Sequence, residues 1–193
     1  MFVERFSRPE IVVRRVRLGV TEMTAMTWLP RLVEMILPDA FGEARFVSLP
    51  LCMIENVWAC KPGALPARTR FRLAQLSDMP LVSQDPLGGS ALIINRWLRE
   101  NKAPTPRVII ANNLLSLIAM TMSGFGVSYL PKSFAQTLAA QGRLQVLAAE
   151  QRLPSVPYTV MYRSNDESPV VDAIARFAQR CCDFSQMFQG SNQ

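Results

Sequence analysis

Pro106-Arg-Val-Ile-Ile-Ala-Asn-Asn-Leu-Leu-Ser-Leu-Ile-Ala-Met-Thr-Met-Ser-Gly-Phe-Gly-Val-Ser-Tyr-Leu-Pro131 reads as strand, turn, helix, turn, strand. Val108, Ile109 and Ile110 are a β-branched run suited to a buried strand. Asn112 and Asn113 follow, and either side chain suits a helix cap, accepting from a first-turn N–H. Leu114 to Ser123 is apolar almost all round, which predicts a buried helix too short to span a bilayer. Gly124 supplies a left-handed stop, Gly126 lets the chain turn again, and Val127 to Leu130 is a second strand closed by Pro131. Two strands joined by a helix form a βαβ unit, and so imply a parallel sheet. In such sheets ligands sit beyond the carboxyl ends of the strands, where helix N-termini point.

The same grammar extends in both directions. Upstream, Val16 to Val20 is a strand, Thr21 to Thr24 a polar turn, and Ala25 to Ile36 a helix capped by Thr24 and bent at Pro30. Phe46 to Leu51 and Ile54 to Cys60 are extended, and a polar connector with a helical turn near Leu73 leads to the strand Leu81 to Gln84. Asp85 to Ser90 is a loop, with Ser90 as cap of a helix whose Ile93, Ile94, Trp97 and Leu98 share one face. Downstream, Ser133 caps a helix to Ala140, Gly142 ends it, and Leu144 to Leu147 and Tyr158 to Tyr162 are strands. Ser168-Pro169 opens a final helix with Ile174, Phe177, Ala178, Cys181 and Phe184 at helical spacing.

Composition narrows the function. The 193 residues are 49% apolar, enough for a real core, and no apolar run reaches the ~18 residues a membrane helix needs. Histidine is absent, which removes Ser-His-Asp and Cys-His catalysis and makes a zinc site improbable, so no metal and no cofactor is expected. The four cysteines, at 52, 60, 181 and 182, form no Cys-x-x-Cys pair and read as reduced cytosolic thiols. Half of the +6 net charge lies in Met1 to Arg17, a solvated basic lead-in with neither basic-aromatic interleaving nor an apolar signal core.

Several motifs together resemble the effector-binding domain of LysR-type transcriptional regulators. They are Val16-Arg-Leu-Gly-Val-Thr21 with Trp28-Leu-Pro30, Phe46-Val-Ser-Leu-Pro-Leu51, Ser123-Gly-Phe-Gly-Val-Ser-Tyr-Leu-Pro131, Gly142-Arg-Leu144 and the helix from Pro169 to Phe184. The third is similar to that family's Gly-x-Gly-hydrophobic-x-x-Leu-Pro signature, and the likeness runs in order from about 16 to 186. It implies an α/β, two-lobed, periplasmic-binding-protein-like (type II) fold with two crossover hinge strands. Subdomain I would take 16–52 plus 158–188, subdomain II 55–155, with hinges at 52–54 and 155–157. Two departures follow. The family's winged helix-turn-helix has no counterpart here, so DNA contact would come only through a domain absent from this chain. Arg31 to Ile36 also runs almost directly into Leu37-Pro38-Asp39, so a strand, helix and strand of subdomain I are missing, leaving that lobe incomplete.

Under this resemblance the expected partner is a small, anionic effector in the interlobe cleft, sensed by a cytoplasmic homo-oligomer (a dimer) without membrane attachment. Candidate effector-binding residues are Met23, Thr24, Ser83, Gln84, Gly89, Ser90, Asn112, Asn113, Gly124 and Phe125. Each has a plainer alternative. Thr24 and the two asparagines are also ordinary caps, and Met23 is also packing. Gly89 and Ser90 also fit a helix-entry loop, and Gly124-Phe125 a helix stop. Ser83 and Gln84 end a strand on the cleft side. A free-standing solute-binding protein, a truncated regulator fragment, or an enzyme on this fold are the rival readings. The enzyme would need a cleft acid/base pair that this histidine-free chain does not display.

Overall fold

The computed structural model describes residues 19–29, 31–32, 45–66, 70–86, 88–164 and 169–185. In chain order the first elements are α1 (Glu22–Met26), β1 (Arg45–Ile54), β2 (Asn56–Cys60), a 3₁₀ turn (Leu73–Ser77), β3 (Leu81–Gln84) and α2 (Gly89–Glu100). Then come β4 (Val108–Ala111), α3 (Leu114–Ser123), β5 (Val127–Pro131), α4 (Lys132–Ala140), β6 (Gln145–Val146), β7 (Val156–Ser164) and α5 (Pro169–Cys181).

The larger lobe is a mixed sheet in the order β4-β3-β5-β2-β6. β3 lies between β4 and β5 and runs parallel to both, so the β4–α3–β5 unit crosses over β3. β2 returns antiparallel beside β5, and β6 flanks β2. Alternation along each strand divides the core in two. Leu81, Val127, Tyr129, Trp58 and Cys60 face one side, packing with Phe71, Leu76, Ile94 and Leu98 under α2 and the 3₁₀ turn. Val82, Leu130 and Ala59 face the other, under Leu114, Leu117 and Ile118 of α3 and Phe134, Ala135 and Leu138 of α4. Burying each large side chain contributes about 1.5–3 kcal/mol before entropy is counted. A sheet covered on both faces explains why β5 is buried along its whole length.

The smaller lobe is different. Its described strands are β1 and β7 alone, a long antiparallel ribbon from Arg45↔Ser164 to Ile54↔Val156, with an irregularity between Pro50 and Cys52. These are the two crossover strands. α5 covers the ribbon, and Ala178, Cys181 and Phe184 extend the same core that holds Trp28 and Leu32. Phe184 lies beyond the end of α5, its ring 5.0 Å from that of Tyr158 and 6.0 Å, edge-on, from that of Trp28. The lobe therefore has no parallel sheet among the described residues.

Several sequence expectations change. Of the strand proposed at 16–20, residues 16–18 lie outside the described set, and Gly19 and Val20 are not in a strand. The Ala25–Ile36 helix starts earlier and is broken: α1 ends at Met26, where Thr27 (φ −113°, ψ −94°) leaves the helix and its hydroxyl donates to the Met23 carbonyl at 2.6 Å. Residues 33–36 and Pro30, and the Asn165–Glu167 turn with Ser168, are outside the described set. The caps move too. Thr21, not Thr24, caps α1. Gly88, not Ser90, is the N-cap of α2. Ser133 lies inside α4 and donates instead to the Phe184 carbonyl at 2.8 Å. β4 is an edge strand with Val108 and Ile110 half exposed, so its β-branched run is not the buried strand expected. Leu115 is also exposed, at 61%, so α3 is covered on one side rather than enclosed.

Candidate functional site

The carboxyl ends of β3 and β4 open onto a cleft of about 530 Å³, walled on its far side by α1 and the ribbon. That is where a sheet with helices above it puts its ligand. Gln84, Asp85, Gly88, Gly89 and Ser90 come from the β3–α2 loop and the first turn of α2. Asn112 and Leu114 come from the β4–α3 junction. Thr21, Glu22 and Met23 come from the start of α1, Val156 to Thr159 and Ile54 from the ribbon, and Asn56 from the start of β2. Tyr129 of β5 completes the wall.

Two helix N-termini face this space, and they are not alike. The N-cap of α2 is Gly88, which has no side chain to offer its helix, so no side-chain cap bond is made there. At Gly89 even an added Cβ would meet nothing within 4 Å, so the start of α2 is open to the cleft, the arrangement that suits an anion. At α3 two of the donors are taken. The Asn113 side chain accepts from Ser116 N at 2.7 Å, and the Glu22 carboxylate of α1 accepts from Leu114 N at 2.5 Å. The charged side chains lining the cleft among the described residues are Glu22 and Asp85.

Behind the wall, Ser83 Oγ and the Tyr129 hydroxyl share a 2.8 Å hydrogen bond, both side chains buried. Burial pushes the Tyr129 phenol above its ordinary range, and the Ser83 contact pulls it partly back. Tyr158, opposite, is raised by burial as well, and its hydrogen bond with Thr21 opposes that. Neither phenol ionises near neutrality, so both are hydrogen-bonding groups rather than bases.

Of the residues expected from sequence, Met23, Gln84, Gly89, Ser90 and Asn112 line the cleft together. Thr24, Ser83 and Asn113 stand one layer back, as a buried neighbour of Thr21, a support for Tyr129 and a helix cap. Gly124 and Phe125 are not in the group. They sit at the far end of the ten-residue α3, about 15 Å from its start, with Gly124 in the left-handed conformation (φ 90°) and Phe125 56% exposed. Sequence reasoning missed Thr21, Glu22, Asp85, Tyr129 and Tyr158. Glu22 was inside the very turn singled out, and Tyr129 inside the Gly-x-Gly-hydrophobic-x-x-Leu-Pro motif, so position flagged both while residue type did not. Among the described residues no group of three or more His, Cys, Asp or Glu is placed to hold a metal, and no helix is long and apolar enough to cross a membrane.

A two-lobed α/β domain with a cleft between its lobes, lined by both apolar and hydrogen-bonding side chains, has the architecture of the periplasmic-binding-protein type. The chain belongs to the LysR substrate binding domain family, whose profile matches residues 35–182. Solved relatives share the fold at low identity. The effector-binding domain of QuiR in complex with shikimate superposes with a TM-score of 0.59 at 19% identity, over 74% of this chain and 68% of that one. The regulatory domain of HypT from Salmonella typhimurium, bromide ion-bound, gives 0.58 at 18% over 84% and 81%. The regulatory domain of MetR from N. meningitidis gives 0.57 at 17% over 77% and 74%. Comparison with curated proteins gives no match.

Proposed function

We propose that this chain is the ligand-sensing domain of a transcriptional regulator, and that it binds a small anionic metabolite in the cleft between its lobes. The observation that carries this is the start of α2. Gly88, Gly89 and Ser90 all border the cleft there, and the cap residue Gly88 has no side chain to turn onto its own helix. Helix-end donors of this kind stabilise an anion by about 0.3–1 kcal/mol when exposed and up to ~2 when partly buried. Gln84 and Asn112 supply neutral hydrogen-bonding groups beside it. The two acidic side chains in the wall favour a singly charged carboxylate over a more highly charged phosphate. The shikimate-bound QuiR domain shows that a domain of this fold accepts a compact hydroxylated carboxylate.

The signal would be a change in the relation of the lobes, 16–52 with 158–188 moving against 55–155 about hinges at 52–54 and 155–157. A ligand drives that change only by its difference in affinity for the two arrangements. The role is binding rather than catalysis. In the cell the domain would act in the cytoplasm as part of a homo-oligomer, with DNA contacted by a helix-turn-helix domain outside this sequence.

A thermal-shift screen of small mono- and dicarboxylates, followed by calorimetry, tests the reading. Gly89 is the position for the control, because an added Cβ there meets nothing within 4 Å. Gly89→Asp should fold normally and lose the hit, since its carboxylate occupies and repels the site. Unchanged affinity in Gly89→Asp would place the ligand elsewhere.

A further inference from the structure

The cysteines read from sequence as unremarkable reduced thiols are not evenly scattered in space. Cys60 and Cys181 are buried, whereas Cys52 and Cys182 are half-buried and reachable from solvent. Those two, 130 positions apart, meet: the Cys182 thiol donates to Cys52 Sγ at 3.5 Å. Cys52 lies in β1 where the ribbon pairing is irregular, opposite Tyr158 and two residues from the Ile54↔Val156 end of the hinge. Cys182 follows the last residue of α5, in a stretch without regular structure. A disulfide needs its sulfurs at about 2.05 Å. The gap is small enough for side-chain rotation with a minor shift of the irregular segments on either side.

We propose that Cys52 and Cys182 are a redox modification site, forming a reversible intramolecular disulfide with a hydroperoxide as oxidant. In the first step the Cys52 sulfur attacks one peroxide oxygen. The O–O bond breaks, the other oxygen leaves as water (or as an alcohol from an organic hydroperoxide) with the thiol proton, and Cys52 becomes a sulfenic acid. In the second, the Cys182 sulfur attacks the Cys52 sulfur. The S–O bond breaks, the hydroxyl departs as water with the Cys182 proton, and the S–S bond forms. Two thiols are oxidised by two electrons and one peroxide bond is reduced. An added dithiol restores both thiols by exchange.

The order of attack follows from the local chemistry. Burial and the contact with Cys52 push the Cys182 thiol up to about 12. Burial raises Cys52 as well, but the S–H of Cys182 points at its sulfur and favours the thiolate there. Cys52 is thus the attacking sulfur and Cys182 the one that resolves it. Asp183, next in sequence, raises both, which makes this a slow site rather than a rapid peroxide scavenger. The bond would tie the segment carrying Phe184 to the hinge strand, whatever occupies the cleft.

Hydrogen peroxide treatment of the dilute protein, with thiol counting and peptide mass mapping, tests this. The wild type should fall from four free thiols to two, with one cross-linked species joining the peptide of Cys52 to that of Cys181 and Cys182, lighter by two hydrogens and reversed by dithiothreitol. Cys181→Ser should still form the link and Cys182→Ser should not. In the oxidised wild type, amides of 182–185 should exchange more slowly. A link that persists in Cys182→Ser, oxidation that stops at sulfinate, or linkage only between molecules would overturn the proposal. Because the wild-type and Cys181→Ser maps stand alone, a folding failure of Cys182→Ser would not spare it.

Discussion

Glu22 Oε2 of α1 accepts a hydrogen bond from the backbone N–H of Leu114 at the first position of α3, 92 residues away and across the cleft. One carboxylate thus sits at the start of two helices, its own and that of the opposite lobe. It meets the electrostatic demand of the α3 N-terminus without any ligand. Glu22→Ala should expose the Leu114 amide, speeding its hydrogen exchange, and lower stability by about 0.3–1 kcal/mol at low salt. It should also let sulfate shift the Leu114 amide resonance at concentrations that leave the wild type unmoved. Identical Leu114 exchange in the two proteins would mean that the contact is not formed in solution.

The Ser83–Tyr129 pair should reveal itself as an asymmetry between two substitutions. Ser83→Ala leaves a buried phenol without its partner and should cost ~1–3 kcal/mol in urea unfolding. Tyr129→Phe removes the polar group together with its need, and should cost less. Equal losses would show that the hydroxyl finds another partner.

Alkaline unfolding follows from the same residue. Burial raises the folded-state ionisation of Tyr129 and Tyr158 above the ordinary 10.0. The unfolded chain therefore loses these protons first, and ∂ΔG/∂pH is negative above that point. Stability contributed by the neutral phenols is complete below pH 10.0 and is lost as pH rises through the folded-state values. Tyr129→Phe should make stability fall less steeply above that pH. Denaturant midpoints from pH 8 to 11 (a span set about the phenol range) would measure it, and parallel curves would refute it.

Gly126 is irreplaceable for a packing reason. A Cβ there would lie 2.1 Å from the Pro80 carbonyl oxygen, which itself accepts from Val127 N at 3.0 Å and so cannot move without losing the β3–β5 junction. Gly126→Ala should destabilise by roughly 1–3 kcal/mol or more. Gly89→Ala, into open space, should be close to neutral. Comparable melting temperatures for the two would contradict the contact.

Hydrogen exchange should divide the molecule unequally. β3 and β5 lie in a sheet with a core on each face, one of them under α3, whereas α1 has five residues and the smaller lobe, among the described residues, a two-stranded ribbon. Slow amides should cluster in 81–84 and 114–131, with faster exchange in 22–32. Uniform protection would mean that the smaller lobe is as well supported as the larger.

What could be read in advance follows the range of the interactions. Leu81–Gln84 and Leu114–Ser123 were legible to the residue, because strand composition, an asparagine cap and a stop glycine are local signals. The exposure of Val108 and Ile110 was not, since it depends on β4 being at the edge, and strand order is not local. Caps failed because the helices start earlier than expected: α1 begins at Glu22, which makes Thr21 its cap, and α2 at Gly89, which makes Gly88 its cap. The cleft was half legible. Helix starts announced Gly89, Ser90 and Asn112, but Glu22 reaches its place only through a contact between distant segments.

The seating of Phe184 has a mechanical consequence. β1 and β7 lie side by side, and two adjacent straps define a single axle about which one body is free to swing. Phe184 is a third fastening, off that axle: its carbonyl is held by Ser133 of α4, while its ring is wedged between Trp28 and Tyr158. An axle with a fastening beside it is a bracket. In the swing proposed above, that wedge would have to let go first, so the torque a ligand must supply would be set at a residue one layer behind the cleft, against Tyr158. Shaving the wedge, as in Phe184→Ala, should loosen the swing before it loosens the grip on ligand.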